Sequence, residues 1–517
     1  MPKDRKDLSP VAPLCDVSRR GFLTAAAGGL VLATIAAPQA PQAQPAPGGG
    51  SSGGSGGGSG GGTTQGTRIR RNVYALQGSA DGKKMIEAYR KGVQAMMAKP
   101  FSDVTSWRFQ AAIHSPFTGD TADIQALPIA LQAYLDPRNL CQHGNGRFLP
   151  WHRMYVYYFE RIVRKASGEP AFCLPYWNYS DSPAERAIPE GFRTPADPAA
   201  NALFRSARRA GINGGDALPP EIISTTDAFR ETSAGPQRAS SGFYAAIEVR
   251  PHNRVHVALG GDTGLMSDPE TAALDPIFWM HHCNIDRLWT KWIRAGHANL
   301  TDTPFLDRVH RFWDEDGNAV EMTTREVMDT VTRLDYRYDD DTPTEAGTLT
   351  LAQAGGGVEA GPAATELAAT AAPVTLSREG TTALAAPVVE AGGAEVFATR
   401  TPAQLDQPVI LSLEDVRFAT APRTLFEVYV NPPETGDFRM DPAYFAGIFA
   451  PFAPPREGEE YRETFDITGL ITRQIDAGIY QGGPLRVEIL PRPPEEGTGV
   501  EAGPLPEVTV GRISVSR

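Results

Sequence analysis

The chain has 517 residues, and this length predicts two or more domains, because a single core rarely grows beyond about 250–300 residues. Its formal net charge of −12 argues against a nucleic-acid partner, which needs a basic patch, and against an anionic membrane surface. Four cysteines are too few for a disulfide framework, and Cys173 and Cys283 are interpreted as small buried hydrophobic residues.

Residues 1–43 are predicted to be a twin-arginine export signal. Ser18–Leu23 resembles the twin-arginine motif and leads into an apolar stretch, Gly21–Ala37, that is too short and too rich in Ala and Gly for a permanent membrane helix. Residues 44–66 follow as a flexible Gly-, Pro- and Ser-rich segment. We therefore expect an exported protein, periplasmic or extracellular, without stable membrane insertion. Its partner is the twin-arginine export machinery, which moves folded proteins and so lets folding control which metal binds.

The next segment, residues 67–340, is predicted to be mainly helical. Gly82–Ala98, Trp151–Ala166 and Pro276–Ile293 carry apolar residues at three- and four-residue spacing. Residues 341–393 are rich in Ala, Thr, Gly and Pro and are predicted to be an interdomain linker with some strand.

The last segment, residues 394–517, has the residue pattern of strands and not of helices. Short β-branched runs such as Thr424–Val430 and Leu485–Leu490 are bounded by Pro, Gly and Asp, which predicts an all-β sandwich. The expected fold is thus a mainly α domain followed by an all-β sandwich domain.

Histidines carry the chemical signal, because all nine lie between residues 114 and 310. Three short stretches hold six of them, in the pairs His143 and His152, His252 and His256, and His281 and His282. The second pair is four residues apart and would share one face of a helix. Imidazole suits copper, zinc, iron and nickel, but no carboxylate recurs at ligand spacing and the zinc motif H-E-x-x-H is absent. An all-histidine set favours copper.

These stretches resemble the copper motifs of tyrosinases, catechol oxidases and molluscan haemocyanins. The run from His143 to Arg153 resembles the first motif, and His252–His256 with Asp275–Trp289 resembles the second. The resemblance implies a central helix bundle that holds two copper ions with three histidines each: His114, His143 and His152 for the first, and His252, His256 and His282 for the second. It places His281 beside the site without a bond to metal, and it places His114 by family order alone.

The same resemblance implies further site residues. Cys141 stands where fungal members bond a cysteine through sulfur to a ligand histidine, so a thioether to His143 is expected, with a free buried cysteine as the alternative. Asn253 and Glu248 match residues proposed in the family to hold a water that takes the proton of a phenol. Phe278 is expected to pack on a ligand ring, although plain core packing would explain it equally well.

The implied activity is that of a polyphenol oxidase. Such an enzyme uses O2 to oxidise o-diphenols to o-quinones, and Asn253 with Glu248 favours o-hydroxylation of monophenols as well. A bulky residue covers the first copper in diphenol-only members, and Met266 is the nearest candidate here. An o-aminophenol oxidase, a haemocyanin-like oxygen carrier and a copper-storage protein are the alternatives.

The end of the helical segment and the tail extend the resemblance. Asp335–Asp339 resembles the tyrosine motif that closes the catalytic domain in plant and fungal members, where the first tyrosine packs on an arginine; Arg70 or Arg71 would take that part. The β-rich tail resembles the C-terminal domain of plant-like enzymes, which covers the copper site until it is cleaved off. Cleavage within residues 341–393 would then raise activity, whereas a permanent stabilising domain would leave activity unchanged.

Overall fold

In the computed structural model of the chain, the described residues are 67–493 and 504–517, apart from 137–139, 236–241, 342–364, 388–407, 457 and 460. The predicted export signal, the flexible segment that follows it and most of the predicted linker lie outside the described residues. None of the described helices combines the length and the apolar character that a membrane span requires.

Helices dominate the chain up to residue 327. They are α1 (Val73–Gln77), α2 (Ala80–Met97), α3 (Trp107–His114), α4 (Thr121–Gln125), α5 (Ile129–Tyr134), α6 (Phe148–Ser167), α7 (Pro220–Ile223), α8 (Thr226–Arg230), α9 (Gly242–Ile247), α10 (Arg254–Gly260), α11 (Ile277–Arg294), α12 (Thr303–Leu306) and α13 (Thr324–Val327). The three helices predicted from apolar spacing correspond to α2, α6 and α11.

Local capping sets the ends of the central helices. Ser79 accepts a hydrogen bond from the Gly82 amide at the start of α2, and Ser106 accepts one from Phe109 at the start of α3. Gly168 ends α6 in the left-handed conformation, with φ of 71°, which a side chain would disfavour. The buried faces of these helices form one core.

A kink separates α9 from α10. Within Glu248–Asn253, Arg250 has the extended values φ −142° and ψ 117°, and Pro251 has no N–H to donate, so the helical hydrogen bonding is interrupted. The chain resumes as a regular helix at Arg254. The kink leaves both Glu248 and His252 next to His143.

Strands join the two ends of the helical domain. In the described chain these are β1 (Arg68–Arg70), β2 (Val309–Trp313), β3 (Ala319–Thr323) and β4 (Tyr336–Tyr338). β1 pairs in parallel with β4, and β2 pairs with β3. The Arg70 guanidinium lies 3.7 Å from the centre of the Tyr336 ring, so the arginine–tyrosine contact predicted for the tyrosine motif is confirmed with Arg70.

The C-terminal domain is built from strands and one helix. They are β5 (Glu366–Ala369), β6 (Val374–Thr375), β7 (Thr381–Pro387), β8 (Ile410–Phe418), β9 (Phe426–Val430), β10 (Phe445–Phe449), β11 (Glu463–Asp466), α14 (Thr468–Asp476), β12 (Leu485–Pro491) and β13 (Val508–Ser516). Among the described residues they form one nine-stranded sheet, in the order β10-β9-β12-β7-β5-β13-β8-β11, with β6 paired to β13. Its edge strands β10 and β11 approach each other, so the sheet nearly closes into a barrel.

The expected order of a helical domain and an all-β domain is confirmed, with two differences in detail. The strands belong to one continuous, nearly closed sheet, because β5 pairs with both β7 and β13 and so joins its two halves. The β domain also begins by Glu366, inside the predicted linker, because residues 366–387 supply three of its strands. These strands are rich in Ala and Thr, which gives a weak strand signal in the sequence.

Candidate metal centre

Two groups of potential metal ligands lie in the helical domain. His114, Cys141, His143 and His152 form the first group, and His252, His256, His281 and His282 form the second; within each group, the possible ligand atoms lie within 4.8 Å of one another. The structure therefore brings together all six histidines predicted to bind copper.

Different elements supply these side chains. His114 ends α3, His143 precedes α6, His152 lies in α6, His252 lies in the kink, His256 in α10 and His282 in α11. The two longest contributors, α6 and α11, pack against each other, and the His152 and His282 rings stack with their centres 4.3 Å apart. Packing of these two helices therefore fixes the distance between the groups.

One ring nitrogen of several of these histidines, Nδ1, is hydrogen-bonded to the protein. The Nδ1 atoms of three histidines lie 2.8–2.9 Å from backbone carbonyl oxygens, namely Pro269 for His114, Phe148 for His152 and Met266 for His256. A proton on Nδ1 donates to that oxygen and leaves Nε2 as the unprotonated atom that can bind a metal.

The other ring nitrogens, the Nε2 atoms that point towards the centre of each group, lack such partners in the protein backbone. The buried Nε2 atoms of His114, His143 and His252 have no hydrogen-bond partner. The Nε2 atoms of His256 and His282 are 3.4 Å apart, which matches two imidazoles on one ion at about 2.0–2.1 Å each. Buried polar atoms without partners are rare in folded proteins. Metal ions would satisfy these atoms, and an all-imidazole donor set fits two copper ions.

Burial also sets the protonation of these ligands. It lowers the pKa of all six histidines, in His114 to about 4, because a buried imidazolium loses its hydration. Neighbouring histidines lower the pKa of His143, His152 and His282 further. The rings are therefore neutral near pH 7, as metal binding requires.

The adjacent histidines of α11 have different surroundings. The Nδ1 atom of His281 lies 3.0 Å from the Tyr179 hydroxyl, and its ring stacks on His252 with centres 5.3 Å apart. His282 faces His256, and Phe278 packs against its ring at 4.3 Å. The His281 ring is therefore held by a tyrosine, and its Nε2, also within the second group, has no hydrogen-bond partner.

Cys141 lies inside the first group. Its Sγ is 3.2 Å from Nε2 of His152, and it shares the group with His143. Burial raises the pKa of this thiol, so it is not a ready thiolate. The thioether to His143 stays a prediction.

Glu248 and Asn253 each contact a histidine that is predicted to bind copper. Glu248 Oε1 lies 2.9 Å from Nδ1 of His143 and accepts a hydrogen bond from the Gly144 amide at 2.8 Å. Asn253 Oδ1 lies 2.8 Å from Nδ1 of His252. Burial raises the pKa of Glu248 well above its ordinary value, the Gly144 amide opposes this shift and the Glu459 carboxylate adds to it.

A small cavity lies between Glu248, Asn253 and His143 on one side and Tyr461 on the other. Its volume is about 30 Å³, which is close to the volume of one water molecule. Asn253 closes part of it by donating a hydrogen bond from Nδ2 to the Tyr461 hydroxyl at 3.2 Å.

A loop of the C-terminal domain covers the site; the resemblance of the tail implied such a cover, but the sequence alone did not reveal which residue supplies it. Phe452 stacks on His256 with ring centres 4.2 Å apart, and it meets His143 and His252 edge-on at 5.7 and 5.8 Å. Met266, the candidate for a covering residue, lies instead beside the second group, where its carbonyl faces His256. The available signal was a lone aromatic residue in a Pro-rich run, Pro451–Pro455.

Polar contacts surround this loop. Asn145 donates to Glu459 at 2.9 Å, Arg254 pairs with Glu463 at 3.1 Å, and Arg456 donates to the carbonyl oxygens of Leu140 and Cys141. These bonds tie the C-terminal domain to the segments that carry His143 and His256.

The chain matches three family models. Residues 104–220 and 207–295 match the common central domain of tyrosinase, residues 299–345 match the polyphenol oxidase middle domain, and residues 363–517 match a domain of unknown function, DUF7868. The first two matches cover the described histidine groups and the Tyr336 strand.

Individual tyrosinases and polyphenol oxidases are also similar to this chain in sequence. The chain is 35% identical over 302 residues to tyrosinase HcTyr1 of Hahella sp. (strain CCB-MM4), an alignment that covers 52% of this chain and 63% of that protein. It is 26% identical over 447 residues to the latent form of a chloroplastic polyphenol oxidase of Prunus armeniaca, covering 78% of this chain and 70% of that protein. The chain thus spans less than two thirds of the Hahella relative.

A solved structure shares the fold across both domains. Recombinantly expressed latent aurone synthase (polyphenol oxidase) superposes with a TM-score of 0.54 at 22% identity, covering 88% of this chain and 90% of that chain. The similarity therefore includes the β domain as well as the helical one.

Proposed function

The chain belongs to the tyrosinase and polyphenol oxidase family, whose members are copper oxidoreductases, and we propose that it uses O2 at a dinuclear copper centre to oxidise o-diphenols to o-quinones. We propose that it also o-hydroxylates monophenols, a monooxygenase reaction. The observation that carries the proposal is the convergence of inward Nε2 atoms from six histidines whose other nitrogens are mostly held by the protein.

The protein residues would orient the ligands and handle the proton of the substrate. Bound copper would supply the binding and reduction of O2. Glu248 Oε1 fixes the ring of His143, which leaves Oε2 for a second partner. A monophenol must lose its O–H proton before it is hydroxylated. In this proposal the proton passes through a water in the cavity beside Asn253 to Glu248 Oε2.

His282 is proposed as the third ligand of the second copper, and His281 as its neighbour. The 3.4 Å distance between the His282 and His256 Nε2 atoms suits two ligands of one ion. The hydrogen bond of His281 to Tyr179 positions its ring against His252. His114, His143 and His152 would hold the first copper, with Cys141 joined to His143 by the thioether.

The closed arrangement is proposed to be a latent form. Phe452 lies against rings of both histidine groups, where a phenol ring would have to approach the coppers. Two of the relatives are described as latent. Cleavage between the domains, in the part of the predicted linker (residues 341–393) that precedes β5, would let this loop leave.

Export through the twin-arginine pathway is part of the proposal. It rests on the Ser18–Leu23 motif, and it would deliver a folded, shielded enzyme to the periplasm or the medium.

Oxygen uptake by the copper-loaded chain tests the proposal. Substrates are a catechol, tyramine and an o-aminophenol, each measured before and after proteolytic removal of the C-terminal domain. We expect turnover of the catechol and of tyramine, and loss of both in His256→Ala. Turnover of the aminophenol alone would overturn the phenol assignment, and O2 binding without turnover would indicate a carrier.

A further inference from the structure

A second cavity lies next to the segments that carry His143 and His152. Its volume is about 350 Å³, within the range of small-molecule sites. We call it the rear pocket and define it by Leu140, Gln142, Arg147, Trp151, Arg308 and His310. None of the six predicted copper ligands lines it. We propose that the rear pocket binds a small aromatic acid that carries a hydroxyl group opposite its carboxylate.

Gln142 gives the first reason. Its side chain is only 4% exposed, and its Nε2 donates to the Leu140 carbonyl at 2.5 Å. That bond fixes the amide orientation, because a flipped amide would set two oxygens against each other. Gln142 Oε1 is then a buried acceptor without a hydrogen-bond partner. A site with such an orphaned acceptor selects a ligand that donates a hydrogen bond.

The rim of the rear pocket gives the second reason. Arg147, Arg308 and Arg311 surround it, and Glu321 is the carboxylate among its lining residues. Glu321 pairs with Arg311 at 2.7 Å. Within the described chain, no carboxylate pairs with Arg308, which is exposed at the mouth of the pocket. The positive charge of Arg308 suits a carboxylate, which arginine binds in a planar, bidentate manner.

The walls give the third reason. Leu140 and Trp151 are buried, Tyr134 is half-buried, and Val309 is 49% exposed at the edge. An aromatic ring placed between Gln142 Oε1 and Arg308 would cover these apolar surfaces. A sulfate ion would leave both the walls and Gln142 unsatisfied, and a phosphate ion, although it can donate a hydrogen bond, would leave the apolar walls uncovered.

The position of the rear pocket connects it to the copper site. Gln142 directly precedes His143, and Trp151 directly precedes His152, whose ring centre is 4.7 Å from that of Trp151. A ligand here would restrain the segment that carries two copper ligands without touching copper. The inference stands on these contacts and does not depend on the proposed phenol oxidation.

Calorimetric titration of the full-length, copper-loaded chain tests it, with azide present to block the coppers. The probes are 4-hydroxybenzoate and benzoate, which differ only in the hydroxyl donor. We expect one saturable site at which 4-hydroxybenzoate binds about tenfold more tightly than benzoate. Gln142→Leu should bring the two affinities together, and Arg308→Gln should weaken both by about tenfold or more.

Arg325→Gln is the matched control, because Arg325 is also an exposed arginine of this region but pairs with Asp307 at 2.9 Å. It should bind both probes as the wild type does. Absence of saturable binding below about 10 mM would overturn the proposal, as would unchanged affinity in Arg308→Gln. A hydroxyl preference that persists in Gln142→Leu would refute the part assigned to Gln142. Because Arg308 is exposed, its variant gives a result even if Gln142→Leu does not fold.

Discussion

Most of the histidines predicted to bind copper are oriented by hydrogen bonds to their Nδ1 atoms. His114, His152 and His256 each meet a backbone carbonyl through Nδ1, whereas His143 and His252 meet side chains, Glu248 and Asn253. Carbonyl partners cannot be removed by substitution, but side-chain partners can. Substitution of Glu248 or of Asn253 should therefore affect one copper site at a time, although neither residue is a predicted metal ligand.

Glu248→Ala should weaken copper binding at the first site by about 10- to 100-fold, the usual cost of losing such a partner. His143 would lose the acceptor that orients its ring. Glu248→Gln keeps an acceptor oxygen and should retain most of the affinity. The measurement is a competition titration with a copper chelator. Glu459→Gln is the control, because Glu459 is close by but bonds to Asn145. Equal affinity in Glu248→Ala and the wild type would contradict the assignment.

The two adjacent histidines of α11 should differ in their effect on copper content. His282→Ala removes a proposed ligand and should leave about one copper per chain. His281→Asn should keep two, since Asn can still bond to the Tyr179 hydroxyl. Metal analysis of purified chains, with circular dichroism to confirm folding, decides between them. The reverse pattern would make His281 the ligand.

Sequence patterns pointed more directly to the candidate ligands than to the groups that orient them. Dense motifs marked His143, His152 and His256, whereas His114 depended on family order, and the structure places it with the first group. The pattern could not show that Glu248 reaches His143, because that contact depends on a kink 105 residues further along the chain. Phe452 was missed because no periodicity links a loop of one domain to a site in another.

At the scale of elements, one buried carboxylate joins the helices to the strands. Asp286 of α11 accepts hydrogen bonds from Tyr336 and Tyr338 of β4 and pairs with Arg153 of α6 and Arg70 of β1. A fully buried charge is tolerated only when it is paired in this way. Asp286 thereby fixes the first and last strands of the catalytic domain on the two helices that carry His152 and His282.

Asp286→Asn should destabilise the catalytic domain by about 3–5 kcal/mol, because the buried Arg153 loses its carboxylate, whereas Arg70 keeps Glu160 at 2.8 Å. Asp316→Asn is a suitable control, since Asp316 forms an exposed pair with Lys165. Urea unfolding followed by tryptophan fluorescence measures the difference. A loss below about 1 kcal/mol would mean that the network contributes no more than a surface pair.

Acid should weaken the same network. Burial alone would raise the pKa of Asp286, but Arg153, Arg70 and the two tyrosine hydroxyls together hold it below the ordinary value of 3.8. A carboxyl whose pKa is lowered by folding stabilises the fold above its unfolded pKa, and this contribution is lost as the pH falls through the folded pKa. Stability should therefore fall below about pH 4 in the wild type, and less steeply in Asp286→Asn.

The observed helix boundaries agree with the predicted ones where apolar residues recur regularly at three- and four-residue spacing. The predicted segment Trp151–Ala166 lies within α6, and Pro276–Ile293 overlaps α11 almost completely. The strands of residues 366–387 lie in the segment predicted to be a linker with some strand, and their bounds could not be predicted because their Ala and Thr side chains give little contrast between the two faces of the sheet. Their partners from outside this segment are β13 for β5 and β6 and β12 for β7, and both lie far along the chain, beyond any local pattern.

At the scale of the molecule, the two domains share a core. Leu425, Ile448 and Phe452 of the β domain belong to the same buried cluster as the helical residues around the site. Removal of the C-terminal domain would expose apolar surface next to the coppers, which is where a phenol ring would bind in its place.

Phe452→Ala should raise the catechol kcat/KM of the full-length chain by about tenfold or more, because it empties the space against His256 without cutting the chain. Phe438→Ala is the control, since Phe438 packs on Tyr429 within the same domain. Oxygen uptake measures both variants. Unchanged kinetics in Phe452→Ala would indicate a permanent stabilising domain that does not gate the site.

The connection between the domains also determines how the shield responds to dilution. Residues 342–364 tether the helical domain to the strand at Glu366, so the shielding loop is present at a fixed effective concentration however dilute the protein is. A single cut in this tether leaves the contacts of Phe452, Glu459 and Glu463 intact, but rebinding then becomes bimolecular. Cut enzyme should therefore gain activity on dilution, whereas intact enzyme should not. Proteolysis would thus make activation possible, and the local concentration of the enzyme would determine how far the cut enzyme is activated.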